Sequence, residues 1–154
     1  MEYSILSLFR NECFWAPLFS WLAAQMTKLI IGLYRRHRLD FSYLVSTGGM
    51  PSAHSALVCG LATATGLTVG FGSAIFAVSL AFALLVMFDA STVRYAAGMQ
   101  ARLLNEIVDE LFKEHHLSET KLKELLGHTR LEVFMGMLQG ILVGVLVHAV
   151  ALRL

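Results

Sequence analysis

Residues 73–88 read SAIFAVSLAFALLVMF, and not one of those side chains is charged. An unbroken apolar stretch of that kind, closed by Asp89, reads as a membrane span, for which ~20 apolar residues suffice and somewhat fewer are tolerated. Three further stretches share the character, at about 14–34, 53–69 and 131–152. The one at 53–69 is short and rich in Gly, Ala and Thr, a composition that suits a helix packed among helices better than one surrounded by lipid. Only Gly70 to Gly72 separates it from residues 73–88, so that connection is a tight turn. The expected fold is all-α: an integral membrane helix bundle of about four transmembrane helices, forming one domain over residues 1–154.

Composition agrees. Of 154 residues, 56% are hydrophobic and 15% charged, and the mean hydropathy of +0.65 is too apolar for an ordinary soluble domain of this size. A net charge of +1 gives no general attraction for nucleic acid, and none is expected as a partner. Cys13 and Cys59 have neither metal-ligand spacing nor a disulfide framework, so both are expected to behave as small buried hydrophobes. Glu2 stands where a signal peptide would carry basic residues, and the first span is expected to remain in the mature chain.

Two connections are polar. One carries Arg35, Arg36, His37 and Arg38, then Gly48 and Gly49. The other, from Asp89 to His128, has apolar residues at helical spacing (Val93, Ala97, Leu104, Val108, Leu111) with Glu106, Asp109, Glu110 and Lys113 on other faces. The segment 93–127 is therefore expected to be an amphipathic helix on the membrane surface, followed by a short helix opened by Ser118 and closed by Gly127. Four spans put both polar connections on one side. All but Arg10 and Arg153 of the 12 Lys and Arg residues fall there, which by the positive-inside rule makes that side cytoplasmic.

Ionisable residues near the ends of spans are costly unless paired or functional. Lys28, Arg35, His54, Asp89, Arg94, His128 and Glu132 gather toward that same side. In Gly48-Gly49-Met50-Pro51-Ser52-Ala53-His54-Ser55, glycines and a proline lead into an apolar run, which reads as a loop feeding a helix whose first turn holds Pro51. Free first-turn amides and the Ser52 hydroxyl suit an anion. His54 beside them suits proton donation to a leaving oxygen. A plain helix start capped by Ser52 or Ser55 is the alternative.

His128 and Glu132 are four residues apart and share a helical face, so the carboxylate can hold one imidazole nitrogen and leave the other free as a nucleophile. The competing reading is a capping box formed by Thr129 and Glu132. Gly136, Gly140 and Gly144 continue that face and allow another helix to approach closely. Lys28, Arg35 and Arg94 suit phosphoryl oxygens, although snorkelling and topology-setting account for each of them equally well. Asp89 expects a partner in Arg94 or Lys28.

Taken together, these residues resemble the divergent, bacterial and plastid-type branch of the type 2 phosphatidic acid phosphatase superfamily, which also contains vanadium-dependent haloperoxidases and acid phosphatases. Its motifs KxxxxxxRP, PSGH and SRxxxxxHxxxD have counterparts in Lys28 to Arg35, in Pro51-Ser52-Ala53-His54 and in His128 to Glu132. The branch itself is matched by Thr47-Gly48-Gly49-Met50-Pro51-Ser52-Ala53-His54-Ser55-Ala56-Leu57-Val58, by Asp89 with Val93-Arg94, and by Leu125-Leu126-Gly127-His128-Thr129. The resemblance covers about residues 20–150. It implies His128 as the nucleophile that becomes phosphohistidine, Glu132 as its orienting carboxylate and His54 as the acid. Lys28, Arg35 and Ser52 would bind phosphate, with Gly49 and Pro51 shaping the loop, and no metal or other cofactor is implied.

Four positions depart from the pattern. Arg36 follows Arg35 in place of proline, Ala53 replaces glycine, Glu132 replaces aspartate, and Leu122 stands six before His128 where the superfamily has arginine; Arg94 is the expected substitute cation. The superfamily core usually has six helices, so a second copy in a homodimer, or the surface helix at 93–111, is expected to complete the site. The resemblance implies a phosphoric monoester or pyrophosphate hydrolase acting on phosphatidate, phosphatidylglycerophosphate or an isoprenoid phosphate. It would work in a bacterial inner or plasma membrane or a plastid membrane, with its active site on the cytoplasmic side and lipid phosphate and the bilayer as partners. The alternative is a non-catalytic lipid-headgroup-binding protein. Vanadate-dependent oxidant chemistry ranks below both, and a metal site built from His54, His128, Asp89 and Glu132 is opposed by the neighbouring cations.

Overall fold

The computed structural model describes residues 5–36, 49–111 and 127–153. These form a helical bundle with six helices: α1 (Leu6–Phe9), α2 (Glu12–Arg36), α3 (Ala53–Val69), α4 (Ala74–Ser91), α5 (Val93–Leu111) and α6 (Arg130–Ala151). There is no strand among the described residues. The protein is a helical membrane bundle, as its apolar sequence leads one to expect.

The helix α3 lies in the middle, packed against α2, α4 and α6. Its buried face is built from small residues, among them Ala53, Ser55, Ala56, Gly60, Ala62, Ala64 and Gly66. Small side chains let backbones come close, which is the main source of helix packing when the surroundings are as apolar as the side chains. The glycines of α6 meet it directly. A methyl on Gly136 would run into the Ser52 carbonyl, and one on Gly140 into the Ala56 carbonyl; at Gly144 it would come 2.9 Å from the Thr63 Cβ. The helix α4 has the opposite character, with only Ala83 and Ala90 buried and Val78, Leu85 and Phe88 facing outward. Such a surface is stable against lipid.

Three stretches are helical, long and apolar enough to cross a membrane: Glu12–Tyr34, Ala74–Val108 and Arg130–Ala151. The stretch expected as a fourth span is the shorter apolar helix α3. Its 17 residues extend ~26 Å against a hydrocarbon core of ~30 Å, and its burial among three neighbours makes the shortfall tolerable.

The third span and the amphipathic helix are nearly one rod. They are separated at Thr92 (φ −123°, ψ −72°), yet hydrogen bonds run on through it, from the Thr92 amide to the Phe88 carbonyl and from the Ala96 amide to the Thr92 carbonyl. The expected amphipathic segment is helical as far as Leu111. The expected short helix after Ser118, the loop 37–48 and Leu122 lie outside the described residues.

Candidate functional site

The alternation of α2, α3, α4 and α6 brings the end of α2, the start of α3, the end of α4 and the start of α6 to one end of the bundle. Two backbone hydrogen bonds fasten them. The Ser52 amide donates to the Glu132 carbonyl at 2.9 Å, and the His128 amide donates to the Ala90 carbonyl at 3.1 Å. Gly127 is needed for the second, because any Cβ there would meet the backbone of Arg94 and Tyr95.

At the start of α3, Ser52 is the N-cap, with extended backbone (φ −68°, ψ 114°). Pro51 therefore precedes the helix and does not sit in its first turn, as the sequence suggested. Serine outcompetes the proline for the boundary because its hydroxyl satisfies an amide that the helix leaves orphaned. That hydroxyl is fully buried; it accepts from the Ser55 amide at 3.4 Å and from the Ser55 hydroxyl at 3.0 Å. The amides left open to an anion at this helix start are those of Ala53 and His54. Gly49 has φ +90°, a conformation that L side chains rarely adopt, and so forms the turn leading into Pro51.

The two readings of Glu132 turn out to be compatible. Its Oε2 accepts from the Thr129 amide at 3.0 Å while its own amide donates to the Thr129 hydroxyl at 3.3 Å, a complete capping box. The same Oε2 lies 3.2 Å from His128 Nδ1. An ionised carboxylate only accepts, so Nδ1 carries the proton and Nε2 keeps its lone pair. His128 is 3% exposed, and its Nε2 is buried without a hydrogen-bond partner among the described residues. Burial pushes the imidazole below the ordinary histidine range; the hydrogen bond and charge of Glu132 oppose this, while Lys28 and His54 add to it.

His54 is exposed, with its ring centroid 6.3 Å from that of His128 and the planes 60° apart. Lys28 is 4% exposed on α2, and its charge reaches Glu132, His54 and His128. Asp89 accepts from Arg94 Nε at 2.7 Å, so Arg94 already has a partner, though both remain partly solvated. Arg35 falls in the last turn of α2, and its side chain lies outside the described residues. The structure thus brings together Lys28, Ser52, His54, Asp89, Arg94, His128 and Glu132. Among the described residues no three His, Cys, Asp or Glu side chains come together to hold a metal ion. A cavity of about 270 Å³ opens beside His128, lined also by Ser91, Tyr95, Thr129 and Arg130.

Sequence reasoning missed a second polar cluster, at the opposite end. Glu12 Oε2 lies 2.7 Å from His148 Nδ1, and its Oε1 accepts from the Thr68 hydroxyl at 2.7 Å. That cluster links α2, α3 and α6 at this end of the bundle. The signal was available, since one carboxylate and one imidazole stand at those ends of the first and last spans.

A family model described as "Divergent PAP2 family" matches residues 9–143. The chain is 44% identical over 141 residues to the protein named "Uncharacterized membrane protein YuiD" from Bacillus subtilis (strain 168), an alignment that covers 82% of this chain and 89% of that protein. No solved structure matches significantly. The matched region contains every residue of the site from Lys28 to Glu132, and the chain belongs to the divergent PAP2 family.

Proposed function

We propose that this membrane protein is a lipid-phosphate phosphatase working through a phosphohistidine at His128. The observation that carries the reading is the His128–Glu132 pair, with Nδ1 held at 3.2 Å and a buried Nε2 that has no partner among the described residues and lies near His54. In the first step the Nε2 lone pair forms a bond to phosphorus, the bond to the leaving oxygen breaks, and that oxygen takes a proton from His54. In the second, His54 takes a proton from water as the water oxygen attacks phosphorus; the P–N bond breaks and His128 is restored. Lys28, the first-turn amides of α3 and Arg94 would stabilise the non-bridging oxygens, with Arg35 in the same role. The substrates we assign are amphiphiles, namely phosphatidate, phosphatidylglycerophosphate or isoprenoid phosphates and pyrophosphates. The site would face the cytoplasm across about four spans.

A second reading is favoured by one feature: the Ser52 hydroxyl is already engaged in capping and is fully buried. With Ala53 where the superfamily has glycine, the chain would then bind lipid headgroups without turnover. Phosphate release from a panel of lipid phosphates, by detergent-purified protein in the presence of chelator, separates the two. The phosphatase reading expects metal-independent release that falls at least ~10³-fold in His128→Ala and ~10²-fold or more in His54→Ala. No release from any substrate leaves headgroup binding.

A further inference from the structure

The proposed reaction has a direction. His128 attacks phosphorus while the leaving oxygen takes a proton from His54, and in phosphoryl transfer the attacking and leaving atoms lie roughly in line. The leaving oxygen carries the lipid, so the tail of a substrate belongs on the His54 side of the site. The two histidines differ in the same sense. His128 is 3% exposed just before α6, whereas His54 is exposed in the first turn of α3.

What lies beneath His54 follows from how α3 is surrounded. One side meets α2: Ala53 and Ala56 pack with Ala24, and a methyl on Gly60 would run into the Ser20 side chain. Another side meets α4, where Val58, Cys59 and Ala62 pack with Ala83, and Cys59 Sγ lies 3.6 Å from Met87 Sδ. A third meets the glycines of α6 through Ser52, Ala56 and Thr63. These neighbours do not close a ring, because among the described residues α2 and α4 both pack on α3 and on α6 but do not approach each other. At ~100° per residue, His54, Leu57 and Leu61 fall within ~60° of one another, between the α2 and α4 sides and roughly opposite α6. Leu57 and Leu61 are half-buried, and Leu57 leans on the α4 cluster. They form the floor of a groove whose walls are α2 and α4.

The depth of that groove suits a lipid chain. At ~1.5 Å per residue Leu61 stands ~10 Å along the helix from His54, within the ~15 Å of hydrocarbon in one leaflet. The groove thus begins at the reacting end and continues as apolar surface where a chain anchored by its phosphate would run. The outward face of α4, with Val78 and Leu85, is also apolar and exposed, but it carries no residue of the site.

We propose that the groove between α2 and α4, floored by Leu57 and Leu61, holds the hydrocarbon tail attached to the leaving oxygen, and that these leucines set how bulky a tail is accepted. The inference rests on the phosphatase reading and adds to it the side from which a bilayer lipid enters.

The first test compares wild type, Leu61→Trp and Leu85→Trp, with circular dichroism and gel filtration checking that each is folded. Leu61→Trp fills the groove; Leu85→Trp puts the same bulk on the outward face of α4. The substrates are long-chain phosphatidate and a short-chain phosphatidate whose tails end above Leu61. Leu61→Trp should raise KM for the long-chain substrate ~10-fold or more, the scale on which an apolar pocket rejects a misfitting group. Its KM for the short-chain substrate, and both values in Leu85→Trp, should match wild type. A long-chain KM unchanged in Leu61→Trp, or raised equally for both substrates, overturns the inference and leaves the phosphatase. The second test needs no turnover. Phosphatidate carrying a photoactivatable diazirine midway along one chain is irradiated in phosphatidylcholine vesicles with wild type and with His128→Ala, and the labelled peptides are read by mass spectrometry. Label is expected on α3 around Leu57 and Leu61, displaced by unlabelled phosphatidate. Label that falls as heavily on the outward face of α4, or that phosphatidate does not displace, overturns the inference. Displaceable label in the groove of a protein without turnover supports the groove as a tail site and removes the phosphatase reading.

Discussion

Glu132 serves a helix cap and an imidazole with one oxygen, and substitutions can part those duties. Thr129→Ala removes the bond from the Glu132 amide to the Thr129 hydroxyl at 3.3 Å but leaves Oε2 in reach of both the Thr129 amide and His128 Nδ1. Loss of an N-cap side chain costs about 0.5–2 kcal/mol. Glu132→Gln retains a carbonyl oxygen for the Thr129 amide, so the cap survives in part. What it loses is charge opposite the imidazole. A hydrogen bond to a charged group contributes about 1.5–3 kcal/mol against about 1 kcal/mol for a neutral one, and the difference of about 0.5–2 kcal/mol amounts to roughly 2- to 30-fold in rate. Thr129→Ala should therefore lower unfolding stability while turnover stays nearly intact, and Glu132→Gln should cut kcat while stability changes less. Both are read from lipid-phosphate turnover and denaturant melts of the purified protein. Wild-type turnover in Glu132→Gln, or equal losses of turnover in the two variants, would refute the reasoning.

The remaining predictions concern other parts of the molecule. Gly136→Ala and Gly140→Ala each press a methyl against a carbonyl of α3 and should cost about 1–3 kcal/mol in a denaturant melt. Protonating His128 removes its nucleophile, and its pKa lies below the ordinary histidine value of about 6.5; the acid limb of kcat/KM should therefore fall on the acid side of that value. Over the same window the unfolded chain binds more protons than the folded one, so this group's contribution to stability is present above about pH 6.5 and is lost as pH falls through the folded pKa. His148→Gln removes the partner of Glu12 at the far end and should destabilise the bundle by about 1.5–3 kcal/mol with turnover unchanged. Asp89→Asn breaks a partly solvated ion pair, for which a melt should register less than about 1 kcal/mol.

Much of this was legible in the sequence because the bilayer leaves few options. Residues 73–88 offer no polar face to water, and a helix is the way to satisfy their backbone in lipid. The small residues of 53–69 announced a buried helix, and the four-residue spacing of Gly136, Gly140 and Gly144 announced the face that meets it. The capping box and the His128–Glu132 pair were read as rivals because a residue pattern carries no geometry; only the fold shows one oxygen reaching both. Pro51 was misplaced by one boundary for a similar reason, since Pro and Ser both favour helix starts and the winner depends on whether the hydroxyl reaches the Ser55 amide. The Glu12–His148 pair joins residues at the two ends of the chain; local spacing does not connect them, and the one available signal was their place at matching ends of the first and last spans.

The central claim is that His128 Nε2 takes the phosphoryl group. Purified protein turning over a lipid phosphate should be quenched in alkali, which preserves phosphohistidine, and its peptides read by mass spectrometry. The account predicts phosphate on the His128 imidazole in wild type and none in His128→Ala, with turnover lost in that variant. Turnover that persists in His128→Ala, or a phosphoenzyme labelled at another residue, would contradict it.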